Sequence, residues 1–480
     1  MIKTACFLYS SALSLSAILA FSASDVFASI PTVPAAKGLT IQDAMSGAYK
    51  NNQDLLEKRQ SVLAGHEQYV QAAAGWRPKV RLDASVTGSQ TINSGDAKNT
   101  ESFQTSSEST ANTRAGGITF SQNLFNGGAT VAATEGADKG IRAAWASVRA
   151  AEQETLLGSV AAFLDLLSLQ TKIKLLEAAE QANKKNLEAA EEKLKIGEET
   201  MTQVANAEAK LADITAQLQT TRAELEGAKA TFMRLTSIQA SSDLTKPDLP
   251  KNLPMILENA IQLGLEQNPA VIAAQFEHLA AKAEIDKVAG GLFPQVDFEA
   301  SSARQESLSH NDYNNINGPV TRSNNYNTNN SIVLKVSVPL YEGGAIRSQK
   351  RQAHEVSVQK RIAIEKARNT TREQITQSWQ KFQAAKSNIE NYQKQVKASE
   401  ISLEGTKQEM AVGTKILLDV LDAQTALLEA QMKFVEAEKT YFLECFRLLA
   451  TTGQLNAQFL KLPVDYFNPE SHYQMTSERF

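Results

Sequence analysis

Shifted against itself by 216 residues, this 480-residue chain meets its own landmarks from end to end. Asn52-Gln53-Asp54-Leu55 falls on Asn268-Pro269-Ala270-Val271, and Trp76-Arg77-Pro78-Lys79-Val80 falls on Leu292-Phe293-Pro294-Gln295-Val296. Leu124-Phe125-Asn126-Gly127-Gly128 meets Leu340-Tyr341-Glu342-Gly343-Gly344, and Gly197 meets Gly413. Unrelated helical segments share apolar periodicity by chance, but not Pro, Gly-Gly and Gly punctuation in a single register. The chain is a duplication, and whatever it folds into contains one unit twice.

Each copy reads as helix, strand, loop, strand, very long helix, turn, long helix. Only 12 prolines and 24 glycines interrupt the chain, which favours a few very long elements. The expected organisation is a signal peptide over 1–28 and a first repeat over 29–236, with its β-hairpin at 79–124 and long helices at 128–236. A linker over 237–254, marked by Pro247, Pro250 and Pro254, leads to a second repeat over 255–453. That repeat has its hairpin at 295–340 and long helices at 343–452. The C-terminal tail, 454–480, carries Pro463 and Pro469 and reads as irregular.

The N-terminus has the form of an export signal. Lys3 precedes an apolar run from Ala5 to Phe21, and small residues lead to a cleavage point after Ala28. An uncleaved anchor is the alternative, but the run falls short of the roughly 20 apolar residues that span a bilayer. No later segment of that length is free of charge, so a mature chain that enters a membrane does so as β-structure. Removal of the signal takes Cys6 with it and leaves Cys445, which reads as a small buried residue on a helix. His66, His278, His310, His354 and His472 are too scattered for a metal-ligand spacing, and no nucleophilic triad or phosphate loop stands out. No cofactor, metal or enzymatic activity is therefore expected, and a net charge of −4 gives no reason to expect a nucleic-acid partner.

The strands alternate. Val80, Leu82, Ala84 and Val86 oppose Arg81, Asp83, Ser85 and Thr87, while Ile332, Leu334, Val336 and Val338 oppose Ser331, Lys335 and Ser337. Ser/Thr/Asn-rich stretches, Asn93 to Arg114 and Ser307 to Asn330, read as long exposed loops between them. Each hairpin lies between long helices whose cores are elsewhere, so its apolar face has no evident cover in water. Lipid would cover it. Four strands are too few to close a barrel, which takes roughly eight, and three chains would supply twelve.

Heptads run along the long helices: Leu166, Ile173, Leu187 and Leu194, then Val204, Leu211, Leu218, Leu225 and Phe232. The second copy answers with Ile375, Phe382, Ile389, Val396, Leu403 and Met410, then Val420, Leu427, Phe434, Tyr441 and Leu448. A continuous helix from Gly128 to Leu194 would reach on the order of 100 Å. The expected fold class is mainly α with a small β part. Its unit is a duplicated helix-strand-strand-helix, in which a long helical coiled-coil barrel continues a shared β-barrel.

The stretch Val412-Gly413-Thr414-Lys415-Ile416-Leu417-Leu418-Asp419-Val420-Leu421-Asp422-Ala423-Gln424 resembles the most recognisable segment of the TolC family of outer-membrane efflux and secretion channels. The strand-to-helix junctions with Gly127-Gly128 and with Pro339, Gly343 and Gly344 are similar to the family's as well. The resemblance implies a homotrimer with a twelve-stranded barrel in outer-membrane lipid. Below it would lie a twelve-helix periplasmic barrel whose tip turns, at Gly197 and Gly413, sit at the closable end. It also implies a periplasmic adaptor of the membrane-fusion type and an inner-membrane transporter, ABC or proton-driven, as partners in drug efflux or protein secretion.

Asp419 and Asp422 lie three residues apart on one helical face and would ring the periplasmic entrance with six carboxylates. On spacing alone, acids near a helix start simply complement its dipole. Three gate positions depart from the family: Gln203 stands where an aspartate is expected, Met410 where a tyrosine is common, and Lys415 where an arginine is usual. Lysine lacks the bidentate geometry of arginine. Thr414 flanks Lys415, and Glu198 or Glu199 of a neighbouring hairpin is the expected partner for its ammonium. The competing reading is a trimeric, membrane-anchored coiled-coil protein of structural or adhesive role, which would need neither a polar ring at a tip nor a tandem duplication of hairpins.

Overall fold

The computed structural model describes residues 38–95, 105–241, 243–250, 253–254, 256–313 and 321–478. The signal peptide expected over 1–28 lies outside them. The first copy comprises α1 (Ile41–Asn51), α2 (Gln53–Ala73), β1 (Lys79–Gly95), β2 (Thr105–Asn126), α3 (Ala129–Lys195) and α4 (Met201–Thr236). The second comprises α5 (Leu257–Gln267), α6 (Pro269–Gly290), β3 (Gln295–Tyr313), β4 (Thr321–Ser337), α7 (Ala345–Ala411) and α8 (Leu417–Thr451), followed by α9 (Pro469–Glu478). Every element of the first copy begins 216 residues before its counterpart.

The repeat reaches single hydrogen bonds. Asn52 Oδ1 accepts the Leu55 N–H at 3.0 Å as the cap of α2, while its Nδ2 donates to the Leu235 carbonyl at 3.4 Å. Asn268 does the same on α6, accepting from Ala270 N at 2.9 Å and donating to Thr451 O at 3.0 Å. Only a short amide offers an acceptor and a donor at that reach. Both asparagines are buried, and each ties a short helix to the end of the long return helix of its own copy.

The four strands form one antiparallel sheet in the order β1-β2-β3-β4, with β2 against β3 joining the copies. Val80, Phe120, Ala300 and Ile332 stand in one cross-strand row. The apolar face is open, Leu82 being 75% and Ile332 79% exposed. The outer strands β1 and β4, each 17 residues long, present unpaired edges within the chain. A long free edge beside a bare apolar face demands further strands.

The stretches expected as loops, Asn93 to Arg114 and Ser307 to Asn330, are corrected by the structure: ladders run through much of both, out to Gly95↔Thr105 and Asn311↔Thr321. Backbone bonds hold a ladder, so it continues through Ser, Thr and Asn once the apolar part has fixed its register. The hydropathy pattern marks the apolar band and not the strand ends. β2 continues to Asn126, whereas β4 stops at Ser337 because Pro339, which answers to Asn123 in the repeat, has no N–H to give.

Helices α3 and α7 are both 67 residues long, about 100 Å at 1.5 Å per residue. Their surroundings differ. Leu156, Val160, Phe163, Leu164 and Leu166 of α3 are fully enclosed in the main core, together with α1, α2 and the ends of α4 and α8. Part of α3 is apolar enough in composition to cross a membrane, and 44% of that stretch is buried within the chain. Helix α7 buries Ile375, Trp379 and Phe382 near Cys445 and Leu448, yet leaves Ile401 75% exposed. Burial pushes the Cys445 thiol up to about 12, which leaves it inert.

The tail after Gly453, expected to be irregular, ends in α9. Asn468 Oδ1 accepts the Glu470 N–H at 3.1 Å and Pro469 occupies the first turn, so this proline starts a helix instead of breaking one. Helix α9 lies against α2 and α3 through ring contacts. His66 Nε2 accepts the Trp145 indole N–H at 3.0 Å, and His66 Nδ1 lies 3.0 Å from His472 Nδ1. Tyr473 Oη donates to Asp138 at 3.3 Å.

An indole can only donate, so His66 carries its proton on Nδ1 and His472 Nδ1 accepts it. A proton added to either of these acceptor nitrogens breaks one of the two bonds. Burial first, then the charge on His472, hold His66 below its ordinary value of 6.5. Below that value the released tail binds more protons than the docked one, so docking is complete above about pH 6.5 and weakens as pH falls beneath it. Measured against the intrinsic rate at each pH, the protection of α9 amides is expected to fall between pH 6.5 and 5 while that of α3 stays constant, and His66→Gln should remove the difference. Equal behaviour of α9 and α3 would refute this latch.

Candidate functional site

The two helical hairpins end in turns of one design. After α3, Gly197 takes φ +81°, and the Glu198 N–H donates to Lys193 O at 2.9 Å. After α7, Gly413 takes φ +81°, and the Thr414 N–H donates to Glu409 O at 3.0 Å. A left-handed residue at this place lets the chain satisfy the last carbonyls of one helix while turning into the next, and glycine takes that conformation without strain.

Each residue of the expected gate then has a definite place. The Thr414 hydroxyl donates to the Glu409 carbonyl at 2.9 Å and is consumed by its own turn. Asp419 Oδ2 accepts the Ile416 N–H at 3.1 Å, closing the start of α8, and its other oxygen lies 3.9 Å from Lys415 Nζ. Asp422 is held from another helix, with Lys210 Nζ of α4 at 3.2 Å from its Oδ1. Asn186 of α3 donates to Gln424 of α8, two residues further in, at 2.8 Å. Gln203 keeps a buried Oε1 without a partner among the described residues, and Met410 is half-buried. Among the described residues, Glu198 and Glu199 enter no ion pair within the chain; a pairing with Lys415 would have to cross to another copy.

The sequence reading missed Lys210. It lies seven residues beyond Gln203 on α4, in the heptad register along which Val204 and Ala207 are buried. That periodicity was the available signal, since a lysine stem reaches a full turn from its own Cα.

At the other end, β2 passes into α3 through Asn126, whose Nδ2 donates to Thr130 Oγ1 at 2.6 Å and whose Oδ1 accepts the Thr130 N–H at 3.3 Å. Gly127 and Gly128 follow at φ +66° and +83°, and Gly343 and Gly344 repeat this at +63° and +84°. Trp76, Phe125, Phe293 and Tyr341 stand exposed around these junctions, where an aromatic girdle would meet a membrane interface. Among the described residues no group of histidine, cysteine, aspartate or glutamate is placed to hold a metal.

A family model described as "Outer membrane efflux protein" matches residues 44–237 and 260–454, one block per copy. The chain is 29% identical over 449 residues to the outer membrane efflux protein BepC of Brucella suis, covering 94% of this chain and 93% of that protein. It is 24% identical to the outer membrane protein TolC of Vibrio cholerae, over 86% of this chain and 90% of that one. The solved structure of the outer-membrane channel OprN superposes with a TM-score of 0.67 at 18% identity, covering 88% of this chain and 94% of that one.

Proposed function

The chain belongs to the outer membrane efflux protein family, the TolC-type channels, and on that premise we propose a gate for the duct it forms, set by Lys210, Asp419 and Asp422. Three copies pool their strands into a twelve-stranded barrel in the outer membrane, and α3, α4, α7 and α8 of each continue as a helical tunnel through the periplasm. The protein is a channel and not an enzyme, the exit duct of a tripartite efflux or type I secretion system. It works with a periplasmic adaptor and an inner-membrane transporter. The observation that carries the assembly is the pair of bare edges, β1 and β4, flanking an apolar face that nothing among the described residues covers.

The tip turns stand at the end of the helices remote from the barrel, so the entrance lies where α8 begins. Asp419 and Asp422 supply carboxylate oxygens there, each with one lysine nearby, and the Lys210–Asp422 pair links α4 to α8. In this reading, breaking that link lets the hairpins part. The carboxylates left in the lumen favour cations and give multivalent cations a place to block.

Planar bilayers test the proposal. The wild-type trimer is expected to give discrete cation-selective steps that a trivalent cation blocks from the periplasmic side. The double variant Asp419→Asn/Asp422→Asn should weaken that block roughly ten-fold or more, about 1.4 kcal/mol. Unchanged block would remove the carboxylates from the entrance. A well-inserted trimer with no steps would favour the membrane-anchored coiled-coil reading instead.

A further inference from the structure

Cross-strand partners share a face, so the register sorts which side chains stand beside the apolar ones. Near the helices this face is mostly apolar or small, with Val80 and Leu82 on β1, Phe120 and Ile118 on β2 and Ile332 on β4, and with Gln122 and Asn330 as its amides. Two rows further out the same face turns cationic. Ala84 aligns through Gly116 with Arg304, and the next row aligns Val86 with Arg114.

Arg114 and Arg304 enter no ion pair among the described residues, although Glu306 is the register partner of Arg114. Arg304 instead lies 5.8 Å from the centroid of the exposed Tyr326 ring. Gly116 lies between the two arginines without a side chain, and a depression of about 450 Å³ opens there, walled by Val86, Arg114, Arg304 and Glu306. Arg322 adds a third cation two rows beyond. Glu108, still further out, is engaged by Gln90 Nε2 at 2.5 Å.

Height decides what this face meets. From Val80 to Val86 a strand advances about 20 Å along its axis at roughly 3.4 Å per residue. Tilted by the roughly 40° usual in barrels, that stretch rises only about 15 Å, and the run from Phe120 down to the exposed Phe125 adds on the order of 13 Å, which brings the band to roughly the 25 Å of outer-membrane barrels. The arginines therefore sit at the upper rim of the band, on the lipid side and away from the helices. A guanidinium on bare hydrocarbon would be costly there, while at the headgroups its planar fork matches phosphate oxygens.

We propose that the depression between Arg114 and Arg304, with Tyr326 at its edge, binds a phosphate group on a lipid headgroup of the outer leaflet, one site per chain. The site rests on the barrel reading above and adds to it a chosen lipid. Glu306 limits it to one phosphate by repelling a second, and Arg322 is placed to meet a further anionic group of the same headgroup.

The test uses the intact trimer in phosphatidylcholine nanodiscs doped with a bisphosphorylated glycolipid or with its dephosphorylated form. Native mass spectrometry counts the retained glycolipid. Wild type is expected to keep the phosphorylated form at least roughly ten-fold better than the dephosphorylated one, and Arg114→Gln/Arg304→Gln to lose that preference. Arg81→Gln, which removes one positive charge from the opposite face, should leave it intact. Inorganic phosphate at millimolar levels should not compete, because it lacks the acyl chains that hold the headgroup at this height. Equal retention of both glycolipids by wild type, or an unchanged preference in the double variant, overturns the site. Failure of the trimer to enter nanodiscs at all would instead overturn the barrel.

Discussion

Gly127→Ala is expected to reduce the assembled trimer to less than about a tenth of wild type, while Gly343→Ala at the same place in the second copy leaves more than half. Both glycines lie in the left-handed region, at φ +66° and +63°, so a side chain at either costs about 1–2 kcal/mol. They part company in their surroundings. A Cβ on Gly127 would stand 2.2 Å from the Gly290 carbonyl oxygen and 2.8 Å from Phe293 Cβ, whereas one on Gly343 meets nothing within 4 Å. A backbone carbonyl cannot rotate away as a side chain can, so the overlap adds roughly 1–3 kcal/mol and pushes β2 off its path into α3. Three such junctions per assembly compound the loss. Unheated denaturing gels of membrane fractions read the outcome as the fraction of chain migrating as trimer. An equal drop for both variants would show that the close approach to α6 is not what Gly127 secures.

That contrast also shows how far the sequence reaches. Gly127 and Gly343 are the same residue in the same motif, and the duplication aligned them from the sequence alone, as it aligned Asn52 with Asn268. Register, repeat and element order are local or periodic properties, and a constant offset exposes them. Neighbours are not. Gly127 meets α6, which belongs to the other copy, and Gly343 meets nothing among the described residues. The same limit hid the contact of His66 with His472, 406 positions away in sequence, where five scattered histidines gave no spacing to read.

The ladder beyond Asn93 was missed for a related reason. Alternating hydropathy reports where a strand meets oil, and backbone pairing continues past that band. The tail around Pro469 reads as irregular because a proline ends a helix or begins one, depending on the cap before it; here Asn468 decides. At the tip, Asp419 and Asp422 were legible from one motif. Lys210 was not, since it comes from another helix, one heptad beyond the position searched.

Lys210 is where the second large effect is expected. The Lys210–Asp422 pair is partly solvated, its side chains 30% and 61% exposed, so each copy contributes only about 0.2–1 kcal/mol. Threefold symmetry multiplies this: roughly 0.6–3 kcal/mol for the ring shifts the closed-to-open ratio by about three-fold to more than a hundred-fold. Lys210→Ala and Asp422→Asn should therefore both raise single-channel open time and make cells leakier to bulky antibiotics. Their selectivities should diverge. Lys210→Ala frees a carboxylate and makes the open pore more cation-selective, whereas Asp422→Asn removes that carboxylate and makes it less so. A charge swap, Lys210→Asp with Asp422→Lys, should return the open time toward wild type, because a bridge depends on opposite signs and not on which helix carries which. A swap as leaky as either single variant would mean that the two residues act separately, and that their ion pair is not what holds α4 to α8 at the tip.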